Sequence, residues 1–176
     1  VSRARQCEAV LLGLTRLDDE RTLSELERLL NKVDSDVAVL DAPPGFELTN
    51  VTRVLVPVGG RGRQHELRAR LLGSLRRSGR RDVEFLQVLP ESASDSEVAL
   101  AERALLRLAR DEAGGAPRVR VLRSGDGRGA VVEAARDADL LLLGLPRARG
   151  KAFFGEFALG VARSAPSATL LLSQGK

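Results

Sequence analysis

The segment Glu8–Leu40 recurs without a gap at Asp139–Leu171, so that Gly13 answers to Gly144 and Asp36 to Ser167. Around the glycines the chain reads Val10-Leu-Leu-Gly-Leu-Thr-Arg16 and Leu141-Leu-Leu-Gly-Leu-Pro-Arg147. Each copy then reaches a second apolar run, Val37–Leu40 and Ala168–Leu172. Strand, helix and strand in that order form a right-handed crossover unit, and two strands alone cannot bury both of their faces. The unit at 8–42 must therefore dock on something. A long stretch, 49–138, precedes the second copy, and almost nothing precedes the first. The expectation is a truncated unit at 1–45, a complete domain at 49–176, and a chain cut from a longer polypeptide. The absence of Met agrees with that expectation.

The elements between the copies are legible from periodicity and end signals. Arg53–Val58 reads as a buried strand, Gly59–Gly62 as a turn, and Gln64–Arg77 as a helix with Leu67, Leu71, Leu72 and Leu75 inward. Val83–Leu89 is a strand, and Ser94-Asp-Ser-Glu97 has capping-box spacing before a helix that Gly114-Gly115 stops. Arg118–Leu122 is a strand, Gly125–Gly129 a turn in which Asp126 can cap the helix Ala130–Ala138, and Leu140–Leu145 the most apolar strand. Phe153–Ser164 reads as a helix and Thr169–Ser173 as the last strand. In the first unit, Thr22-Leu-Ser-Glu25 starts a helix that turns Leu23, Leu26, Leu30 and Val33 to one side. Strands alternating with helices, several strands apolar throughout, predict a parallel five-stranded α/β sheet with helices on both faces, preceded by a partial βαβ unit.

Composition narrows the chemistry. At 43% hydrophobic residues the chain can fill a core, and with five Phe as the only aromatics that core is aliphatic. No apolar run approaches the roughly 20 residues of a membrane span, so a soluble piece is expected. Cys7 reads as a buried thiol and His65 as a solvated helix residue; neither has the neighbours that a metal site or a triad needs. Arginines crowd 61–81 and carry much of the net charge of +4. Without interleaved aromatics they read as a solvated helix and a basic turn, and no nucleic-acid partner is expected.

Ligands of open parallel sheets sit beyond the carboxyl ends of the strands. There the segment Gly144-Leu-Pro-Arg-Ala-Arg-Gly-Lys-Ala-Phe-Phe-Gly155 follows a buried strand and precedes a helix. Gly144, Arg147, Arg149, Gly150, Lys151 and Gly155 are the candidate cofactor-binding residues, since free amides beside cationic side chains can hold a phosphate. The spacing is not that of a Walker loop, and glycine can equally serve a tight turn. No carboxylate or nucleophile pair is spaced for catalysis, and no metal cluster is visible.

At these residues the sequence resembles the universal stress protein superfamily. Val54-Leu-Val-Pro-Val58 is similar to its first strand, and Gly125 with Ala138-Asp-Leu-Leu-Leu-Leu-Gly144 to its later elements. The resemblance covers 49–174 as a whole domain and 8–42 as the end of another. ATP-binding members carry an Asp after the first strand and a Gly-rich phosphate motif ending in Gly-Ser/Thr. Here Gly59 stands in place of the Asp, Arg147 in place of a glycine, and Glu156 where the hydroxyl is expected. These departures from the family's pattern weigh against ATP, and no cofactor is expected.

Asp139–Arg147 through Thr169–Gly175 further resembles the end of the cation–chloride cotransporter cytoplasmic domain, and Glu8–Leu14 resembles its middle. This likeness implies a non-catalytic, cytoplasmic regulatory and dimerisation domain of a transporter of the amino acid–polyamine–cation type, in the inner or plasma membrane. Its partners would be a second copy and the membrane portion of the same polypeptide. The alternative is a soluble tandem stress protein that binds a nucleotide at 144–155.

Overall fold

The computed structural model describes residues 9–14, 19–59, 64–148 and 151–175. The expected thiol Cys7, most of the Gly59–Gly62 turn, and Arg149 and Gly150 lie outside them. The elements are β1 (Ala9–Leu14), α1 (Glu20–Lys32), β2 (Asp36–Asp41), β3 (Arg53–Pro57), α2 (His65–Arg77), β4 (Asp82–Leu89), α3 (Asp95–Ala113) and β5 (Arg118–Arg123). There follow α4 (Gly127–Ala134), β6 (Leu140–Gly144), a two-stranded hairpin of β7 (Arg147–Ala148) and β8 (Lys151–Ala152), α5 (Glu156–Ser164) and β9 (Ala168–Ser173).

The anticipated α/β architecture is present, but the sheet has seven strands in the order β1-β2-β9-β6-β3-β4-β5. Five of them, from β9 to β5, run parallel. The first unit extends this sheet: β1 and β2 are parallel to each other, and β2 lies antiparallel to β9. The docking expected for 37–40 and 169–173 is thus satisfied within one chain, with Val39 opposite Leu171.

Alternation sorts the side chains into two cores, because successive strand residues point to opposite faces. On one face Val37, Val39, Leu55, Leu86, Leu141, Leu143 and Leu171 meet α1, α4 and α5 through Leu26, Leu30, Val131, Ala158 and Val161. On the other face Val54, Val56, Phe85, Leu140, Leu142 and Leu170 meet α2 and α3 through Leu67, Leu72, Leu105 and Ala109. The helices supply these residues at helical spacing, as Leu23, Leu26, Leu30 and Val33 do on α1.

The same alternation corrects the gapless repeat. Leu12 and Leu143 occupy equivalent positions on one face. A constant offset would then match Val39 to Leu170, which lies on the opposite face. The registers resolve this: Ala9 pairs with Asp36, and Leu140 pairs with Ala168 rather than Ser167. One residue is inserted in the second crossover. Val39 is therefore equivalent to Leu171, the residue it faces, and a local two-fold passes through that pair. By the same shift Leu26, Leu30 and Val33 correspond to Ala158, Ala162 and Ala165.

End signals were read correctly at some helices and not at others. Ser94 and Glu97 form the expected reciprocal capping box on α3, and Asp126 caps α4 by accepting from the Gly129 amide at 2.9 Å. Gly114 and Gly115, at φ 62° and 66°, stop α3 in a conformation that glycine adopts without strain. The cap of α1 is Asp19, not Thr22. Its carboxylate accepts from the amides of Arg21 and Thr22 and from the Thr22 hydroxyl, a stronger acceptor placed a full turn earlier. Those same bonds, the Thr22 hydroxyl's first among them, hold the Asp19 carboxyl below its ordinary range. The last helix begins at Glu156 rather than Phe153, because the Phe153 amide donates to the Pro146 carbonyl and the Phe154 amide to the Glu27 carboxylate, which holds these residues beside the β7–β8 hairpin and α1.

Candidate functional site

The five parallel strands run β5-β4-β3-β6-β9 in space, so the chain leaves the centre in opposite directions from β3 and β6. Ligands of such sheets bind where the order reverses, beyond the carboxyl ends of these two strands. The segment 144–155 rises from that point. Gly144 ends β6, Arg147 and Lys151 belong to the hairpin strands, and Gly155 is the residue before α5.

Gly144 is not in the left-handed region. What it provides is room for Gln64, the residue just before α2. Gln64 is buried, and its Nε2 donates to the Leu145 carbonyl. A Cβ at Gly144 would stand 2.9 Å from the Gln64 Cδ, closer than packed atoms tolerate. The close approach expected of a phosphate is made here by a side-chain amide. Gly155 likewise has an ordinary φ of −67°, and it is crowded by the rings of Pro146 and Phe153, at 3.1 and 3.4 Å from where a Cβ would lie.

Helix α1 of the first unit holds the loop from the other side. The Asn31 amide donates to the Ala152 carbonyl and accepts from the Ala152 amide, both at 2.9 Å, as a neighbouring strand would. One turn earlier, the Glu27 carboxylate accepts from the Phe154 amide at 2.8 Å. The amide just ahead of α5, the group a bound anion would use, thus faces an anion supplied by the protein itself. Glu156 adds a second carboxylate in the first turn, where the helix dipole favours negative charge. No sequence signal marked Gln64, Glu27 or Asn31.

Asp36, at the start of β2, is 7% exposed. It pairs with Arg70 of α2 and accepts from the Gly175 amide at 2.7 Å. Gly175 in turn packs on the backbone of Asp34 and Ser35, with no space for a Cβ. The first unit is therefore tied to the second domain by a shared sheet, by the Asn31 and Glu27 contacts, and by this junction.

Four arginines of the block, Arg68, Arg70, Arg76 and Arg81, are absorbed into the fold, and Arg61 and Arg63 lie outside the described residues. Arg68 is buried under Phe85, its guanidinium 6.0 Å from the ring centre, and is paired in two places with the buried Glu112 of α3. His65 reaches the same carboxylate at 2.7 Å, so the expected solvated histidine is exposed but has a partner. Arg76 donates to the Ala113 carbonyl at the end of α3, and Arg81 to the Thr49 carbonyl. Orphan carbonyls at a helix end favour a cation in this way.

At the opposite end of the sheet Asp139 clamps β6 to β3. Its Oδ2 accepts from the Thr52 amide, the Thr52 hydroxyl and the Arg53 amide at 2.7–2.8 Å. Burial pushes this carboxyl up, but those three hydrogen bonds and the Arg53 charge outweigh it and hold it below its ordinary value of 3.8. Nearby, a groove of about 360 Å³ is lined by Arg53, Asp82, Glu84, Arg118 and Arg120, with Arg120 paired to Glu84 at 3.0 Å. It lies far from the glycine loop, at the end of the strands where such sheets do not place ligands. Among the described residues, no group of His, Cys, Asp and Glu could hold a metal, and no helix is long and apolar enough to cross a membrane.

No protein-family model matches the chain, and no curated protein does. Solved structures do. The cytoplasmic domain of a prokaryotic cation chloride cotransporter superposes with a TM-score of 0.67 at 16% identity, over 94% of this chain. The chain spans 63% of that domain's length. A putative universal stress protein from Pseudomonas aeruginosa UCBPP-PA14 matches with a TM-score of 0.59 at 16% identity, over 94% of this chain and 63% of its own. The universal stress protein from Archaeoglobus fulgidus in complex with dAMP matches with a TM-score of 0.54 at 21% identity, over 69% of this chain and 98% of its own. Likeness at these identities establishes the fold, which is that of the universal stress proteins.

Proposed function

We propose that the chain is a non-catalytic regulatory and dimerisation domain of a membrane transporter, of the cation–chloride cotransporter or amino acid permease type, on the cytoplasmic side of the inner or plasma membrane. The observation that carries this reading is the single seven-stranded sheet, in which a partial unit joins a whole domain through antiparallel β2 and β9. The cotransporter domain matches this composite over 94% of the chain with a TM-score of 0.67, and the Pseudomonas stress protein matches the same share with 0.59, so the margin in superposition is what favours the first reading. The partners are a second copy and the membrane portion of the same polypeptide, with no nucleic acid. Two tests bear on this reading. The coding frame upstream of Val1 should encode a series of about ten hydrophobic segments of spanning length; a frame without them ends it. Light scattering should find a dimer, and a strict monomer at high concentration removes the dimerisation role.

The second reading is a tandem stress protein that binds a nucleotide at Gly144, Arg147, Arg149, Gly150, Lys151 and Gly155, and the dAMP complex of the Archaeoglobus protein favours it. Gln64 over Gly144 and Glu27 on the Phe154 amide argue against it, since ATP would displace one and meet the charge of the other. The first reading therefore includes no cofactor. Calorimetric titration with ATP and Mg²⁺, and with dAMP, separates the two. No heat at millimolar ligand is expected, and saturable binding would favour the second.

A further inference from the structure

Among the described residues the sheet ends at β1 on one side and at β5 on the other. An edge strand presents unpaired amides and carbonyls to any other strand, and proteins commonly blunt such edges with charge. Edge β5 is blunted in this way: Arg118, Arg120 and Arg123 stand along it. Edge β1 is not. It reads Ala-Val-Leu-Leu-Gly-Leu without a charge, and Leu11 near its centre is 54% exposed.

The duplication shows what belongs beside such a strand. In the two copies β1 answers to β6, with Ala9 at the position of Leu140 and Leu11 at that of Leu142. Strand β6 is paired on both sides, with β9 and with β3. Strand β3 runs parallel to it, Val54 opposite Leu140 and Leu55 opposite Leu141. The helix that follows β3, α2, sends Leu67 and Leu72 into the same core as Leu142, which is 1% exposed. On β1, β2 stands where β9 stands on β6, and no described strand stands where β3 does. Leu11 and Leu142 thus hold one position in two copies and differ in what lies over them.

We propose that the edge of β1 docks a strand–helix unit of a neighbouring domain: an apolar strand parallel to β1, aligned on Ala9 and Val10, followed by a helix whose apolar stripe covers Leu11. Strand addition of this kind draws affinity from main-chain hydrogen bonds and specificity from the side chains that meet on each face. A second copy of the chain does not supply such a unit, because its own β3 is flanked by β4 and β6. It could offer only its edges. Edge β5 would bring Arg118, Arg120 and Arg123 into a head-to-tail contact that need not close. A two-fold pairing of β1 with β1 would keep α1 of both copies on the face of Val10 and Leu12, and would leave Leu11 of both uncovered on the other. The inference stands on the sheet alone and holds for either reading of the chain's function.

Residues 51–77 of this chain, which carry β3 and α2, supply the probe. Nuclear magnetic resonance of the labelled 176-residue protein follows β1 with this segment added as a free peptide. The measurement is repeated with the same segment joined ahead of Val1 by a flexible linker, which raises its local concentration to about millimolar. Amide shifts should change along Ala9–Leu14, and the Leu11 methyls should show contacts with leucines of the added helix. The β1 amides should exchange with solvent about tenfold more slowly once paired. Leu11→Lys should weaken binding of the free peptide about tenfold and leave the melting of the protein unchanged. Leu100→Lys, at an exposed leucine of α3, should leave binding unchanged. The inference is overturned if neither form of the segment changes β1, or if Leu11→Lys binds as tightly as the unmodified protein. It is equally overturned if the protein alone shows antiparallel contacts between the β1 strands of two copies.

Discussion

The two crossover units of this chain share a plan and differ at one turn. In the first, the chain leaves β1 and enters a helix of 13 residues capped by Asp19; in the second, it leaves β6, makes a hairpin, and enters a helix of 9 residues. The core contacts differ in the same sense. Leu26, Leu30 and Val33 hold α1 on the sheet where Ala158, Ala162 and Ala165 hold α5. Small side chains let a helix lie closer to what it packs on, and α5 is wedged against α4 as well as the sheet. The inserted residue is accommodated ahead of α5, in the segment that forms the hairpin, and the last turn and a half of α1 then holds that hairpin through Glu27 and Asn31. A duplicated unit has kept its packing while one copy's loop has become the other helix's docking partner.

Substitutions that make the two units alike should be the most damaging. Leu30→Ala opens a cavity under α1 and should cost about 2–4 kcal/mol in chemical denaturation. Ala162→Leu overpacks α5 and should cost about 1–3 kcal/mol. If either change is neutral, the two helices do not differ in stand-off as described. Next in size, Gly144→Ala should lose about 1–3 kcal/mol through collision with Gln64, and adding Gln64→Ala should recover part of it. Full additivity of the two changes would mean that Gln64 is not what Gly144 accommodates.

Asp139→Asn tests the clamp between β6 and β3, and should cost about 1–2 kcal/mol at neutral pH. The folded carboxyl titrates below its unfolded value of 3.8. Its contribution is therefore complete above that value and is lost as pH falls through the folded one. The wild type should lose stability below about pH 4 more steeply than the variant; parallel acid limbs would contradict the assignment. The smallest effect, about 1 kcal/mol, is expected for Asn31→Ala. Its readout is local: the Ala152 amide should exchange with solvent faster while the amides of β3 and β4 do not change.

Much of this fold is legible in the sequence because its strands are buried on both faces and so appear as apolar runs, as at Leu140–Leu143 and Val54–Val56. The capping box at Ser94 and Glu97 is legible because all its parts lie within four residues. Thr22 and Glu25 have the same spacing, and local pattern alone does not show that Asp19 competes. The hairpin was hidden because Arg147–Ala152 is short, charged and glycine-containing, the same features that suggest a phosphate loop. The constellation around that loop was not legible at all. Gln64 meets Leu145, Asn31 meets Ala152 and Glu27 meets Phe154 across 81, 121 and 127 residues of chain. Each of these residues, read alone, is an ordinary polar position on a helix. The gapless repeat misled by one residue, because apolar leucine runs align equally well in two registers and only the face each side chain occupies tells them apart.

The central claim is that the first unit completes the sheet within the chain, with β2 antiparallel to β9 and Val39 opposite Leu171. Nuclear Overhauser contacts between backbone protons of these strands test it most directly, with an isotope-filtered experiment on mixed labelled and unlabelled protein to separate contacts within a chain from those between chains. The account predicts intramolecular contacts in the register Val39–Leu171 and Leu40–Leu170. Contacts only between chains, or a register that places Val39 opposite Leu170, would contradict it.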